Sequence, residues 1–452
     1  MSEDNSTDSI QFTPDNQSLR SYWFFFSGQL VSLFGSSVVQ FAIIWWLTVT
    51  SQSNPKYAGQ AGTILGIASF AGFFPFLMTS LFAGVLVDRW NRKIVIAIAD
   101  FIQAFVTGIL IILFYVDQAS LPYVLIVLAI RAMAQGFHSP ATQAIIPLLV
   151  PREKLTRVNS FENIFNSTIN LLGPVFGALL IELFGVENLG HILWIDLITF
   201  LFAIIPTIKI FIPDITKEKR KAKETSFKQE FGEGIGFIRK TKGLLSLLIT
   251  FTVVNIVSAP VFVLIPLVIK DPELFNGGAS IFAIFVALSQ GGAILGGVIM
   301  ARKPIFKKNA KGVAFGQSMI YVSIFMIIIG VYQVNLIILF IGAFFDGLSL
   351  PFANIPSQTI WQSVVPPDLQ GRVMSVRSVI AWTMIPVSEL VGGYISDQVG
   401  ILNVFIGGFL IGLVFLVYAW FMTDFPRVEQ ILGINQDTPI AETPEPGSTV
   451  PS

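Results

Sequence analysis

Apolar stretches of roughly 20 to 27 residues recur along the chain with short polar breaks between them, and this pattern constrains the fold most strongly. An α-helix rises about 1.5 Å per residue, so each stretch is long enough to cross the ~30 Å hydrocarbon core of a bilayer. Only 12% of the residues are charged, whereas soluble domains carry about 25%. The sequence therefore predicts an all-α integral membrane protein that is surrounded by a lipid bilayer.

Twelve such stretches can be placed, six on each side of the longest polar segment. We place the predicted transmembrane helices at residues 22–49, 61–87, 94–115, 121–147, 159–183, 190–212, 243–270, 279–301, 312–333, 335–362, 373–396 and 401–424. The resulting regions are an N-terminal tail (1–20), a first six-helix bundle (21–212), a basic linker (213–242), a second six-helix bundle (243–424) and a tail expected to be disordered (425–452).

The two halves of the chain resemble each other in sequence. An offset of 215 residues maps Gln143, Pro151, Arg157, Ser160, Gly177 and Gly185 onto Gln358, Pro366, Arg372, Ser375, Gly392 and Gly400. Two pseudo-repeated six-helix bundles of equal orientation, joined by a long linker, are typical of carriers that expose a central site to each side of the membrane in turn. We therefore predict that architecture.

The positions of the lysines and arginines predict the orientation of the chain. Of the 28 lysines and arginines, we place only Lys56 and Lys270 in loops on the outer side and Arg131 inside a span. The remaining 25 fall on the side that holds both termini and the linker. Because loops rich in lysine and arginine stay in the cytoplasm, we expect a multi-pass protein of a bacterial-type cell membrane with both termini cytoplasmic.

The residue types present exclude several kinds of chemistry. The chain has no cysteine and only two histidines, His138 and His191, so cysteine chemistry and histidine metal sites are not expected. The dipeptide Gly-Lys does not occur, which excludes a Walker-type phosphate loop. A membrane enzyme would need clustered acidic or histidine side chains at an interface, and a sensor or scaffold would need a larger soluble domain. We expect a monomer with no enzyme activity, cofactor, metal or nucleic-acid partner.

A charged turn lies between the second and third predicted spans. The segment from Gly84 to Lys93 has the sequence Gly-Val-Leu-Val-Asp-Arg-Trp-Asn-Arg-Lys. The glycine allows two helices to approach, Asp88 is placed to pair with cations or cap a helix, and the cations hold the turn in the cytoplasm. The pattern resembles the loop between the second and third helices of major facilitator superfamily transporters. This resemblance implies a gating role, with the candidate residues Gly84, Asp88, Arg89 and Arg92.

We single out six ionisable side chains inside predicted spans, where each charge costs about 2.5–3.5 kcal/mol on insertion scales. They are Asp100, Arg131, Glu162, Asp196, Asp346 and Glu389. Asp100 and Glu162 lie near the cytoplasmic ends, so we expect them to pair with loop cations or to cap helices. The candidates for proton coupling are, in order, Asp346, Glu389 and Asp196, although Asp196 could equally have only a local partner.

Arg131 and Asp346 occupy equivalent positions in the repeat and have opposite charge. Three interpretations stay open: an ion pair that locks the two bundles, a carboxylate that exchanges a proton during the cycle, or two residues that never meet. The other polar side chains could orient a ligand or form hydrogen bonds between helices. The candidates for contact with a substrate are Gln29, Arg131, His138, Asn255 and Gln358.

The fifth predicted span contains Gly173-Pro174-Val-Phe-Gly177, which combines a proline kink with small residues for close packing. The segment resembles the antiporter motif of drug-exporting facilitators; this resemblance implies export and adds Gly173, Pro174 and Gly177 to the candidate gating residues. An ordinary kink in a membrane helix is the alternative.

Across residues 20–425 the chain resembles the macrolide-efflux branch of the same superfamily. The likeness lies in Phe-His-Ser-Pro-Ala (137–141), Ile-Pro-Leu-Leu-Val-Pro (146–151), Leu-Thr-Arg-Val-Asn (155–159) and the Gly-Gln pair at 28–29. It implies a secondary active transporter that exports lipophilic or amphipathic small molecules by proton antiport, with macrolide antibiotics as one candidate substrate. Export of a siderophore or metabolite, and import through the same fold, are the alternatives.

Overall fold

The computed structural model describes residues 16–87, 90–211, 227–302, 305–366 and 369–431, and every regular element within these ranges is a helix. Twelve of these helices are long and apolar enough to cross a membrane, judged by length and composition. The prediction of an all-α membrane protein with twelve spans is therefore confirmed.

The spanning helices form two groups of six. The first bundle comprises α1 (Asn16–Ser53), α2 (Ala61–Val87), α3 (Arg92–Tyr115), α4 (Leu121–Leu149), α5 (Leu155–Phe184) and α6 (Leu189–Lys209). A shorter helix, α7 (Phe227–Lys240), follows. The second bundle comprises α8 (Leu244–Lys270), α9 (Ala279–Arg302), α10 (Asn309–Tyr332), α11 (Leu336–Val364), α12 (Gln370–Val399) and α13 (Ile401–Met422), and α14 is the short turn Val428–Ile431. We call the end of the bundles at which α1 begins the termini side, and the end with the α1–α2 connection the loop side.

The repeat predicted from the sequence is present in the helix boundaries. The 215-residue offset maps α4 onto α11 and α5 onto α12, from first residue to last. The residues that end α5 and α12 also correspond: Gly185 has a φ of 81° and Gly400 a φ of 90°. These values lie in the region that residues with a Cβ rarely adopt, so glycine lets the chain turn sharply after the helix at both places.

Small residues bring helices of the same bundle into close contact. A Cβ atom on Gly177 of α5 would lie 2.8 Å from the carbonyl oxygen of Val38 on α1, and one on Gly173 would meet the side chain of Ser37. In the second bundle, Gly392 of α12 packs in the same way against Pro260 of α8. The Gly173-Pro174 segment is thus the surface on which α5 packs against α1.

The first helix begins earlier than the sequence indicated. It starts at Asn16, within the predicted tail. The hydroxyl of Ser18 donates a hydrogen bond to the carbonyl oxygen of Leu149 at 3.0 Å, and Tyr22 is buried. Contacts with the end of α4 therefore stabilise the first turn of α1. The polar sequence of this turn does not by itself predict that it belongs to the helix.

The C-terminal tail also differs from the prediction, because residues 425–431 are folded and not disordered. Phe425 and Val428 are fully buried against the second bundle. The carboxylate of Glu429 accepts hydrogen bonds from the backbone N–H groups of Asn309 and Ala310, at 2.9 and 3.2 Å, and so caps α10. Residues 432–452 lie outside the described part of the chain.

The predicted linker contains a helix that packs against the second bundle. Glu233 of α7 forms an ion pair with Arg372 of α12, and Gly234 lies directly against the backbone of Arg372. Ile238 of α7 is buried in the core of this bundle on the termini side. Part of the linker is therefore packed against the second bundle, while residues 212–226 lie outside the described ranges.

The two bundles meet on the loop side in what we call the loop-side seam, formed by Gly62, Thr63 and Gly66 of α2 and by Gly393 and Asp397 of α12. Asp397 accepts hydrogen bonds from the backbone N–H groups of Gly62 and Thr63, both at 2.8 Å, and from the Thr63 hydroxyl at 2.5 Å. A carboxylate of the second bundle thus caps the N-terminus of a helix of the first.

Glycine is required at this seam because the two backbones touch. A Cβ on Gly66 would lie 2.7 Å from the carbonyl oxygen of Glu389, and one on Gly393 would lie 2.2 Å from the carbonyl oxygen of Gly62. Nearby on the same side, the Gln52 amide donates to the carbonyl oxygen of Leu267 at 3.0 Å. The bundles are therefore closed against each other on the loop side.

Replacing Gly66 by Val should open the loop side, because the added methyl groups would overlap the carbonyl of Glu389. We expect the ends of α2 and α12 to move apart by several ångströms. Since the chain has no cysteine, spin labels attached through Gln60→Cys and Val399→Cys, both at exposed positions, would report this distance by pulsed EPR.

The matched control is Gly72→Val. Gly72 lies on the same helix, with no atom within 4 Å of where its Cβ would stand, so this variant should keep the distance of the unmodified chain. An unchanged distance distribution in Gly66→Val would show that the seam does not hold the bundles together.

Candidate functional site

A central cavity lies between the two bundles. It has a volume of about 420 Å³ and is lined by α1, α2 and α4 of the first bundle and by α8, α9 and α12 of the second. Its walls are mostly apolar and include Phe73, Phe262 and Phe282. Among the described residues that line it, only Glu389 is ionisable. A predominantly apolar cavity suits a lipophilic ligand, and its few polar groups determine how that ligand is oriented.

Glu389 connects the central cavity to the loop-side seam. Its carboxylate accepts a hydrogen bond from the hydroxyl of Ser69 on α2, so the contact crosses from one bundle to the other. Its backbone carbonyl is the group that lies against Gly66 in the seam. A change in the charge of this side chain would therefore act where the two bundles touch.

A second cavity of about 190 Å³ lies within the first bundle and shares Gln40, Gly72 and Leu128 with the central one. It is more polar, and the predicted substrate contacts Gln29, Arg131 and His138 all line it.

Arg131 is not paired with Asp346. Its guanidinium forms an ion pair with Asp196 of α6 and donates to the hydroxyl of Thr107 on α3 at 2.5 Å. The other carboxylate oxygen of Asp196 accepts from Ser36 of α1 at 2.7 Å. This network joins α1, α3, α4 and α6, and it leaves Asp196, which is fully buried, with a local partner.

Asp100 and Glu162 do not pair with loop cations in the described structure, contrary to the expectation. The imidazole Nε2 of His138 lies 3.2 Å from a carboxylate oxygen of Asp100, within ion-pair distance when the ring is protonated. The side-chain amide of Gln29 lies 3.5 Å from the other oxygen. Glu162 accepts a hydrogen bond from the hydroxyl of Tyr22 on α1 at 2.5 Å. Both carboxylates thus hold helices of the first bundle together.

Asp346 lies inside the second bundle. It is buried on α11, and the hydroxyl of Ser289 on α9 lies 3.5 Å from its carboxylate. It does not belong to the lining of the central cavity or of the cavity within the first bundle. The interpretation in which Arg131 and Asp346 never meet is the one that agrees with this arrangement.

A third cavity, of about 560 Å³, lies within the second bundle and adjoins the central cavity at Ile385. Asn255 and Gln358 line it. The Asn255 amide donates to the carbonyl oxygen of Ala381 at 3.0 Å, and the Gln358 carbonyl accepts from Arg377 at 2.6 Å. The five predicted substrate contacts are therefore divided between two cavities, one on each side of the central one.

The sequence analysis missed Arg377, which it counted among the cytoplasmic cations. In the structure it lies two turns inside α12, within a span. The repeat contained the signal, because the 215-residue offset maps Glu162, which was recognised as an intramembrane charge, onto Arg377.

The predicted gating turn is described only in part. Gly84 lies in the last turn of α2, and Asp88 and Arg89 lie outside the described residues. Arg92 is buried at the start of α3 and donates to the carbonyl oxygen of Ala144 on α4 at 2.9 Å. The ammonium of Lys93 binds the carbonyl oxygens of Ile208 and Ile210 at the end of α6, at 2.6 and 2.8 Å. These two cations join three helices on the termini side.

Known proteins resemble this chain over most of its length. A family model described as Major Facilitator Superfamily matches residues 25–387. The chain is 30% identical to Macrolide efflux protein A of Streptococcus pyogenes, over 84% of this chain and 90% of that protein. It is 23% identical to the Staphyloferrin A transporter of Staphylococcus aureus, over 84% of this chain and 91% of that protein. A bacterial homologue of the iron transporter ferroportin shares the fold, with a TM-score of 0.64 and 15% identity over 89% of this chain and 98% of that one.

Replacing Asp196 by Asn should destabilise the first bundle, because Arg131 would keep a buried charge without its counterion. Breaking a buried pair from one side costs about 3–5 kcal/mol. We expect a clearly lower Tm in detergent. The double variant Asp196→Asn with Arg131→Gln removes both charges and should recover much of the loss. A double variant no more stable than the single one would contradict the ion-pair assignment.

Proposed function

Since the chain belongs to the major facilitator superfamily, a family of membrane transporters, we propose that it exports lipophilic or amphipathic small molecules across the cell membrane by proton antiport. The observation that carries this proposal is the central cavity of about 420 Å³ between the bundles, apolar except for a few groups around Glu389. Rocking of the two bundles about this cavity would expose it to each side in turn.

The cargo class follows from the lining of the cavity and from the relatives. Aromatic and aliphatic walls favour a large apolar molecule, and the likeness to Macrolide efflux protein A makes macrolides the first compounds to test. Export of a siderophore or metabolite is the second candidate, supported by the likeness to the Staphyloferrin A transporter. The close packing of Gly173 and Gly177 on α1 supports export over import only through its resemblance to the antiporter motif.

We propose that both termini lie in the cytoplasm, because lysines and arginines concentrate on the termini side. The loop side then faces outward. The loop-side seam closes the cavity to the outside, so this conformation corresponds to the inward-facing stage of the cycle. We propose that the transporter acts as a monomer. Gly84, Asp88, Arg89 and Arg92 would hold the termini side closed in the opposite, outward-facing stage.

For proton coupling we place Glu389 before Asp346 and Asp196. Glu389 borders the central cavity and contacts the other bundle through Ser69, whereas Asp346 lies between α9 and α11 and Asp196 is engaged by Arg131. A proton arriving from outside would neutralise Glu389 and remove the charge that orients the cargo. Its release to the cytoplasm would restore that charge for the next molecule.

The direct test is accumulation of a panel of macrolides, lipophilic dyes and siderophores in a pump-deficient bacterium, with and without this protein. Lower accumulation that is reversed by a protonophore would support proton-linked export, and the affected compounds would define the cargo. Unchanged accumulation of the whole panel, with the protein verified in the membrane, would refute the proposal. Higher accumulation would indicate import.

Replacing Glu389 by Gln should reduce protonophore-sensitive efflux to the level of cells that lack the protein, because the amide cannot exchange a proton. Asp346→Asn should retain measurable coupled efflux. Glu187→Gln, at an exposed position on the loop side, is the control and should be fully active. Loss of coupling in Asp346→Asn with full activity in Glu389→Gln would reverse the proposed order.

A further inference from the structure

The cavity within the second bundle contains a cation that has no acidic partner among the described residues. Arg377 donates to the Gln358 carbonyl at 2.6 Å and lies 3.4 Å from the Ser357 hydroxyl, and both of these groups are neutral. Arg131 of the first bundle, by contrast, has Asp196 as its counterion. Arginines within membrane-spanning segments are normally paired or face a water-filled pathway, so the unbalanced charge of Arg377 needs an explanation.

The guanidinium is held in a defined orientation. It stacks over the ring of Trp361, with 5.3 Å between the guanidinium carbon and the ring centroid. A guanidinium has five N–H donors, and the contacts with Gln358, Ser357 and the sulfur of Met374 use at most three of them. Stacking and hydrogen bonds on one side fix the orientation of the guanidinium. Its remaining N–H groups are then positioned for bidentate binding of a carboxylate or phosphate.

The surroundings of Arg377 suit one class of ligand. The cavity of about 560 Å³ is also lined by the amide side chains of Asn255 and Asn354, and its apolar wall includes Phe251 and Trp382. It meets the central cavity at Ile385, so a molecule could occupy both. The combination provides a cation and polar groups for an anionic group, and an aromatic surface for an apolar body.

We propose that this cavity is a binding site for amphipathic anions, in which Arg377 binds a carboxylate or phosphate group and Trp361 and Trp382 lie close to the bound molecule. Only the statement that the bound anion is transported rests on the proposed function. Binding itself is tested without transport. The same chemistry could come from an anionic lipid headgroup, and the experiment distinguishes the two sources.

The test uses the purified full chain in nanodiscs of phosphatidylcholine and a dansyl-labelled undecanoate as the probe. Energy transfer from tryptophan to the dansyl group should rise saturably, because Trp361 and Trp382 line the cavity. The methyl ester of the same probe should give no saturable signal. Unlabelled laurate and dodecyl phosphate should displace the bound probe, and dodecanol should not. Equal displacement by dodecanol would overturn the proposal on the unmodified protein.

Variants then locate the site. Arg377→Gln should weaken probe binding about tenfold or more, since a charged hydrogen bond is lost. Arg377→Lys should fall between this variant and the unmodified chain. The matched control is Arg157→Gln. Arg157 is an exposed arginine on α5 whose guanidinium carbon likewise lies near an aromatic ring, 5.7 Å from the Phe161 centroid, and this variant should bind the probe normally. Unchanged affinity in folded Arg377→Gln would overturn the assignment.

Lipid composition identifies the source of the anion. If phosphatidylglycerol in the nanodisc prevents probe binding, the site is occupied by a lipid headgroup; if it does not, the ligand is a soluble amphipathic anion. Either result leaves Arg377 as the anion site. Failure of the efflux assay with intact probe binding would refute the transport proposal alone, and the reverse result would refute this inference alone.

Discussion

In the hydrocarbon core of a membrane no water completes the hydrogen bonds of a charged side chain, so a charge within the bundles depends on partners in the protein. The first bundle meets this constraint internally. Arg131 is neutralised by Asp196, and the carboxylate of Asp100 lies beside His138. These pairs join α3, α4 and α6, and hydrogen bonds from Ser36 and Gln29 add α1, so the contacts that satisfy the charges also hold four of the six helices together.

The second bundle meets the constraint differently. Among the described residues, the carboxylates of Asp346 and Glu389 are each contacted by a single serine hydroxyl, and Arg377 is contacted by neutral groups. Glu389 and Arg377 both line cavities. The two halves of the repeat thus share the lengths of their fourth and fifth helices and some glycine contacts but differ in electrostatics. Paired charges stabilise one half, while incompletely paired charges in the other remain available to protons and ligands.

The bounds of most spans were predictable to within a few residues because their length follows from the thickness of the bilayer; α1, at Asn16–Ser53 against a predicted 22–49, is the exception. The fourth span was predicted at 121–147 and is Leu121–Leu149, and the repeat offset holds for its counterpart. The partners of charged residues were not predictable. The repeat shows that Arg131 and Asp346 occupy equivalent positions in the two halves, but equivalent positions need not be in contact. Arg377 falls inside the predicted span 373–396 but was counted with the cytoplasmic cations, because a long arginine side chain near the end of a span can reach the membrane surface. The fold of residues 425–431 depends on distant contacts such as that between Glu429 and α10.

Helix α12 contains the features that define both ends of the proposed pathway. From the termini side to the loop side it carries Arg372 at the linker helix, Arg377, Glu389 and the seam carboxylate Asp397. Pro386 lies within the same helix. The 16 residues of α12 on the termini side of this proline (370–385) span about 24 Å, so a tilt of ~10° about it would displace the far end by ~4 Å. Because one rigid helix carries residues of two cavities and of the seam, binding at either cavity and closure of the seam would be coupled through the tilt of α12.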